Sequence, residues 1–381
     1  MDKMKTRVAL AACADYDPQG VKESIIKMID SLGGIGRFVG SGDKVLLKPN
    51  MLTPSRPEQA VITHPAVVRA VAEIVMDCGG KPFIADSPGS NVNSFKRLAR
   101  LSGLSAVAKE LGIPIFPLDE PIEKRLDEKK MYRILEISRH VLEADTVINL
   151  PKLKTHVMMY MTVGVKNIFG CVVGKRKAGW HLNAGIDHMF FARMLVELYD
   201  AVAPALTIMD GILAMEGNGP GTSGNPRQCG VMAAAVDAVA LDRVAVELVG
   251  AKPERLHTSA AAREMGIGET DIRRIEITGE SVEKLRIENF VFPKKSIDMM
   301  PIPNIIRRLL NDHLTSKPKE IREKCTLCDQ CVDICPTGVI SKLGDKLEIN
   351  YDSCIRCFCC VEVCPEGAMK PIVPWLLKLV G

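Results

Sequence analysis

The sequence predicts a large α/β domain with a mostly parallel sheet, followed by a small α+β domain built around cysteines. Two observations carry this expectation. Across the first 290 or so residues, short β-branched runs alternate with amphipathic helical periodicity, the pattern of strand–helix–strand units. Beyond them, eight of the 13 cysteines fall between Cys325 and Cys364 in two runs of identical spacing. A stretch with prolines and mixed charge separates the two parts. The expected division is therefore an α/β domain at 1–292, a linker at 293–320, the cysteine domain at 321–372 and an apolar tail at 373–381.

Taken in order, the first strand is expected over 8–12. Leu10-Ala11-Ala12-Cys13 imitates a lipoprotein cleavage box, but the apolar run before Cys13 is too short for a signal peptide and reads as a buried strand. A helical stretch over 21–32 ends at Gly33-Gly34, which read as its C-terminal turn and not as a nucleotide-binding fingerprint. Further strands are expected over 44–48, 82–86, 146–150, 206–210 and 230–235. Between them, Thr63 is placed to cap a helix with Pro65 in its first turn and Val67, Val68, Val71, Ile74 and Val75 on one face. Helices are also expected over 189–201 and after Asp237. His181 and His188 flank Asp187 beyond the basic Lys175-Arg176-Lys177, in a segment that reads as a lid loop.

Composition narrows the partners. Net charge is only +4 and aromatics are 4%, which argues against nucleic acid. No stretch approaches the length of a membrane span. Lys/Arg number 43 against 38 Asp/Glu over residues 1–320, and 7 against 8 over 321–381, so the larger part is the mildly basic one. Thirteen cysteines without a secretion signal point to a reducing cytoplasm.

The cysteine runs are Cys325-x2-Cys328-x2-Cys331-x3-Cys335-Pro and Cys354-x2-Cys357-x2-Cys360-x3-Cys364-Pro, related by adding 29 to each position. Three close thiolates wrap one cubane cluster, and the fourth, held by its proline, reaches the other. This predicts two 4Fe-4S clusters in a bacterial-ferredoxin-like fold. One uses Cys325, Cys328, Cys331 and Cys364; the second uses Cys354, Cys357, Cys360 and Cys335. Cys359 aligns with Gln330 and is expected beside a cluster without ligating it.

In open α/β sheets, ligands bind beyond the carboxyl ends of the strands. Here those ends read Lys48-Pro49-Asn50, Asp86-Ser87-Pro88, Asn149-Leu150-Pro151-Lys152 with Lys154 and His156, and Asp210-Gly211. Turns alone favour Asp, Asn, Pro and Gly, but not lysine. Lys48, Lys152, Lys154 and Lys166 are therefore expected to form a cradle for an anion, with Asn50, Asp86, Asn167 and Asp210 around it. Backbone N–H groups of Gly217, Asn218 and Gly219 are expected to approach the same anion.

Six segments, VLLKPN (45–50), THPAVVRA (63–70), ADSPG (85–89), NLPKLKTH (149–156), GVKNIFG (164–170) and DGILAMEGNGPG (210–221), resemble in this order the domain of unknown function 362 family. That family often carries a ferredoxin module, and its biochemical role is unsettled. Thr155-His156 and 164–166 are more faintly similar to the histidine and lysine segments of the lactate racemase family. The resemblance does not transfer that family's nickel cofactor, but it implies an anionic or nucleotide-like ligand near His156 and Lys166.

Together these readings predict an iron–sulfur oxidoreductase. It would pass electrons from a redox protein donor to a small anionic substrate or cofactor, with His156 as acid and Lys166 beside it. The alternative is an electron-transfer or cofactor-maturation protein acting on a protein partner.

Overall fold

A computed structural model describes residues 6–88, 92–128, 130–174, 176–185, 187–293 and 316–372. The expected tail at 373–381 and most of the expected linker lie outside them. The large domain is built on β1 (Thr6–Ala12), β2 (Lys44–Pro49), β3 (Lys81–Asp86), β4 (Ile115–Pro117), β5 (Pro121–Arg125), β6 (Ile134–Ser138), β7 (Thr146–Leu150), β8 (Lys152–His156), β9 (Tyr160–Thr162), β10 (Leu206–Gly217), β11 (Gly224–Ala235) and β12 (Ile275–Gly279). The main sheet has the order β12-β1-β11-β10-β7-β2-β3-β4, with β8 attached to β10 and β9 to β8. Along that order only β11 runs against the other strands.

Both faces of this sheet are covered, which explains why its strands read as continuous apolar runs. Along β2, Val45 and Leu47 pack under the helices Pro18–Ser31 and Pro65–Asp77, while Leu46 packs on the opposite face with the helix His188–Val202. Ile148 and Val147 divide in the same way on β7. The helices start where polar caps allow. Asp17 accepts from the Gly20 amide, Asp187 from Phe190, and Asp237 from Val239 and Ala240.

Two local expectations are corrected. His64, not Thr63, caps the helix Pro65–Asp77, its Nδ1 accepting from the Ala66 amide. The Thr63 hydroxyl instead joins two strand ends, accepting from the Asn50 amide and donating to the Leu150 carbonyl at 2.6 Å. The expected lid is a helix, Arg176–Ala184, because Trp180 and His181 find an apolar groove against Phe169 and Phe191.

The strands β10 and β11 run well past the main sheet as a 12-residue antiparallel pair, with a register shift between Gly211 and Leu213. Their tip reaches the cysteine module. That module pairs β13 (Lys317–Glu320) with β16 (Met369–Ile372) and β14 (Ile340–Leu343) with β15 (Lys346–Ile349), around the short helices Gln330–Ile334 and Cys359–Val363. The stretch expected as linker thus yields its last four residues to β13. Pro318 reads as a breaker, but β13 has β16 as its single partner, and an edge strand tolerates proline.

Hydroxyl groups dock the module on the large domain. Thr53 Oγ1 donates to the Val363 carbonyl at 3.1 Å, Thr222 Oγ1 to Cys364 at 3.2 Å and Ser223 Oγ to Met369 at 3.2 Å. Val157 packs into the module's own core.

Candidate functional site

The carboxyl ends of β2 and β3 meet the segment 164–170 and the module helix Cys359–Val363 around a cavity of about 90 Å³. Lys48 leaves β2 at 1% exposure, and Asp86 leaves β3 at 2%. They pair, Lys48 Nζ lying 2.9 Å from Asp86 Oδ1 and donating to the Pro49 carbonyl. The two carboxylate oxygens of Asp86 also accept from the Ser87 and Met51 amides, so the pair is held from several sides. It needs Gly170 beside it, because a Cβ there would stand 2.0 Å from Asp86 Oδ1 and 2.5 Å from Lys48 Nζ.

Three more lysines line the cavity. Lys154, on β8, donates to the Val61 carbonyl at 2.7 Å, and burial together with Lys166 pushes its pKa well below the usual lysine range. Lys177 donates to the Ser87 and Val172 carbonyls, and burial brings its pKa down to about 7. Lys166 is half-buried over the Phe169 ring, its pKa lowered by burial and partly restored by Glu362. No protein acceptor lies within hydrogen-bond reach of its ammonium among the described residues.

His156 is fully buried beneath this cavity and does not line it. Its Nδ1 accepts from the Met158 and Met159 amides, which places the ring proton on Nε2. That nitrogen is 2.9 Å from Glu362 Oε1, in contact but out of hydrogen-bond alignment. Burial and then Lys166 depress His156 to a pKa of about 4. Burial alone would raise Glu362, but His156 and Lys166 hold it ionised. His181 completes this side. Its Nδ1 has no partner, and burial lowers its pKa to about 3.

The structure therefore brings Lys48, Lys154, Lys166, Asn50, Asp86 and Asn167 to one cavity. Lys152 and Asp210, expected with them, sit elsewhere. Lys152 Nζ donates to Asp210 at 2.8 Å and to Tyr16 at 2.9 Å, in a closed network capped by the stacked His64 ring. The cause is the irregular pairing of β8 with β10 between Lys152 and Lys154. The backbone approach expected at Gly217, Asn218 and Gly219 is also corrected. The Gly217 amide bonds the Val291 carbonyl and the Gly219 amide bonds Thr155, so these donors are taken by protein. The loop serves packing instead: a Cβ on Gly219 would stand 2.3 Å from the Thr155 carbonyl.

Sequence reasoning missed Thr162 and Glu362, and read Lys177 and His181 only as part of a lid segment. Glu362 was hidden by distance along the chain, since it reaches the cavity from the cysteine module. The overlooked signal was its place between Cys360 and Cys364, which fixes it on a short helix beside them.

The cysteines fall into two groups. Cys325, Cys328, Cys331 and Cys364 surround one small space, while Cys335, Cys354 and Cys357 are electrostatic neighbours of Cys360, as is Cys331 from the first set. Leu327 and Asp329 have left-handed backbones, and so do Arg356 and Phe358, 29 positions later. Non-glycine residues adopt that conformation at a cost. Its repetition in both runs curls each backbone around its thiols, as cluster ligation requires. Cys359 lines the cavity, and its thiol is held protonated by hydrogen bonding to Cys357 and by burial.

A 4Fe-4S dicluster domain model matches residues 317–365, and the chain is an iron–sulfur protein. It belongs to the family described as domain of unknown function (DUF362), whose model matches residues 45–247. The thylakoid-associated protein sll1697 of Synechocystis sp. (strain ATCC 27184 / PCC 6803 / Kazusa) is 40% identical over 307 residues, covering 81% of this chain and 93% of that protein. Among solved structures, the lactate racemase apoprotein from Thermoanaerobacterium thermosaccharolyticum matches at 12% identity and a TM-score of 0.39, over 63% of this chain and 56% of its own. A likeness that slight carries no argument. Among the described residues no helix is long and apolar enough to cross a membrane.

Proposed function

We propose that the protein is an oxidoreductase that takes electrons from a redox protein and delivers them to an anionic substrate in the lysine-lined cavity. The observation that carries this is the shared wall. Cys359, Glu362 and Val363 of the module helix line the same cavity as Lys48, Lys154 and Lys166. Two 4Fe-4S clusters, held by Cys325, Cys328, Cys331 and Cys364 and by Cys354, Cys357, Cys360 and Cys335, would supply one-electron transfer.

The two cysteine groups differ in exposure in the direction this reading needs. Cys328 is exposed, whereas Cys357 and Cys360 are buried and lie in sequence on either side of Cys359, which lines the cavity, so electrons would enter at the former and leave at the latter. Lys166 would hold the substrate's negative charge. His156 keeps its one ring proton on Nε2 facing Glu362, so the neutral imidazole would steady the charge of a carboxylate that lines the cavity. Lys177, whose pKa is brought down to about 7, would be the group to pass a proton to the substrate. The cysteine usage favours a reducing compartment such as the cytoplasm. The printed name of the Synechocystis relative makes association with a membrane surface a second location to test.

The test is anaerobic reoxidation of the dithionite-reduced protein by a panel of small reducible anions, followed at the visible absorption of the clusters. Saturable reoxidation that is lost in Lys166→Met supports the reading. Reoxidation by protein acceptors alone would favour the electron-transfer or maturation alternative.

A further inference from the structure

The charges and polar atoms around the cavity define its occupant more narrowly than "an anion". Lys48 is neutralised by Asp86 at 2.9 Å. That leaves Lys154, Lys166 and Lys177 facing one further carboxylate, Glu362, among the described lining residues. With every lysine charged the surplus is two positive charges, a state that burial opposes at Lys154 and Lys177 and that a bound anion would restore. Lys154 and Lys177 already donate to carbonyl oxygens, whereas among the described residues the Lys166 ammonium has no protein acceptor within hydrogen-bond reach. On the same cavity wall, the buried Thr162 Oγ1 and His181 Nδ1 lack partners among the described residues, and so does Asn50 Oδ1. Buried polar atoms without partners are costly, and three of them lining one cavity with Lys166 mark a place for a polar guest.

Size sets the other bound. One water needs roughly 10–15 Å³ of space measured in this way. The cavity's water-accessible space of about 90 Å³ is that of a handful of waters, which suits a compact guest. A nucleotide is several times larger.

Resting on the reading of the cavity as the substrate site, we propose that its occupant is a compact dianion, an inorganic oxyanion or a short dicarboxylate, seated on Lys166. Its two charges balance the lysine surplus. Its remaining polar atoms meet Thr162, His181 and Asn50. The nucleotide-like ligand that the resemblance implies is the larger alternative against which the titration sets it.

The experiment is isothermal titration calorimetry on anaerobically purified, oxidised full-length protein, at constant ionic strength set with chloride. The probes are sulfate, phosphate, oxalate, malonate, acetate and adenosine monophosphate. We expect at least one of the four dianionic probes to bind one per chain, at least tenfold more tightly than acetate or the nucleotide. Sulfate or phosphate binding best identifies an oxyanion site; oxalate or malonate binding best identifies a dicarboxylate site. Lys166→Met should weaken that binding at least tenfold while iron content stays that of wild type, and Lys166→Arg should recover part of it. Equal binding by Lys166→Met overturns the proposal, as does tighter binding of the nucleotide. So does a panel that leaves wild type without heat of binding, which would mean that the lysines balance the clusters' own charge. Since no electron donor is present, a failure here is distinct from a failure of the reoxidation experiment above.

Discussion

At the scale of single residues, the site depends on groups that do little to announce themselves. Gly170 is the clearest. Its backbone is ordinary, yet the space a Cβ would need is filled by Lys48 and Asp86. Gly170→Ala should separate that buried pair and cost about 3 kcal/mol or more, read as a lowered urea midpoint; an unchanged midpoint would mean that the pair does not need the glycine. The buried imidazoles give a pH signature. His156 and His181 have folded pKa values of about 4 and about 3, below the roughly 6.5 of an unfolded histidine. They stay neutral in the fold, so their stabilising share is complete above pH 6.5 and shrinks as pH falls toward the folded values. At pH 5.5 each should subtract about 1 kcal/mol, and the urea midpoint should drop between pH 7.5 and 5.5. A midpoint that holds would place charge on these rings. At this scale the sequence was half legible. Lys48, Lys154 and Lys166 declared themselves because turn chemistry does not call for lysine, while Lys152 made the same declaration and proved to be half of a closed pair with Asp210. Residue type reveals charge, but the partner that cancels it comes from another strand.

At the scale of elements, the long β10–β11 pair decides where the module sits. Its tip carries Thr222 and Ser223, whose hydroxyls bond the module's carbonyls, and Gly221 lies close against Glu362 and Val361. Thr222→Val should loosen this contact by about 1 kcal/mol, and limited proteolysis should then release the module faster than in wild type; identical cleavage would mean the tip does not bear on docking. The helix Cys359–Val363 is the other deciding element. Cys359→Ala should leave iron content intact while removing a thiol donor to Cys357, so the reduction potential of the neighbouring cluster should become more negative. Loss of iron in that variant would make Cys359 a ligand. The strands covered on both faces were readable from their apolar runs, and the cysteine repeat from its spacing. The extension of β10 and β11 was not, since Gly217–Gly224 is rich in residues that normally end strands. The helix Arg176–Ala184 reads as a loop because a histidine, a tryptophan, an asparagine and a glycine lie among its nine residues, and its order comes from the aromatic groove it fills.

At the scale of the whole molecule, neither part makes the site alone. The large domain supplies the lysines, and the module supplies Glu362 and the cysteine-bearing wall. A sequence read as two domains and a linker shows both halves but not that they close on one another, because the contact joins positions some 140 to 310 residues apart. The central claim, that one cluster and the lysine cavity form a single unit, is tested most directly by a potentiometric titration followed by electron paramagnetic resonance, comparing wild type with Lys166→Met. Lys166 adjoins the wall formed by Cys359 and Ile334, which pack with Cys357, and removing its positive charge disfavours an added electron there. We predict that one of the two clusters shifts to a more negative potential while the other stays in place. Two unmoved potentials, or two that move equally, would contradict the account.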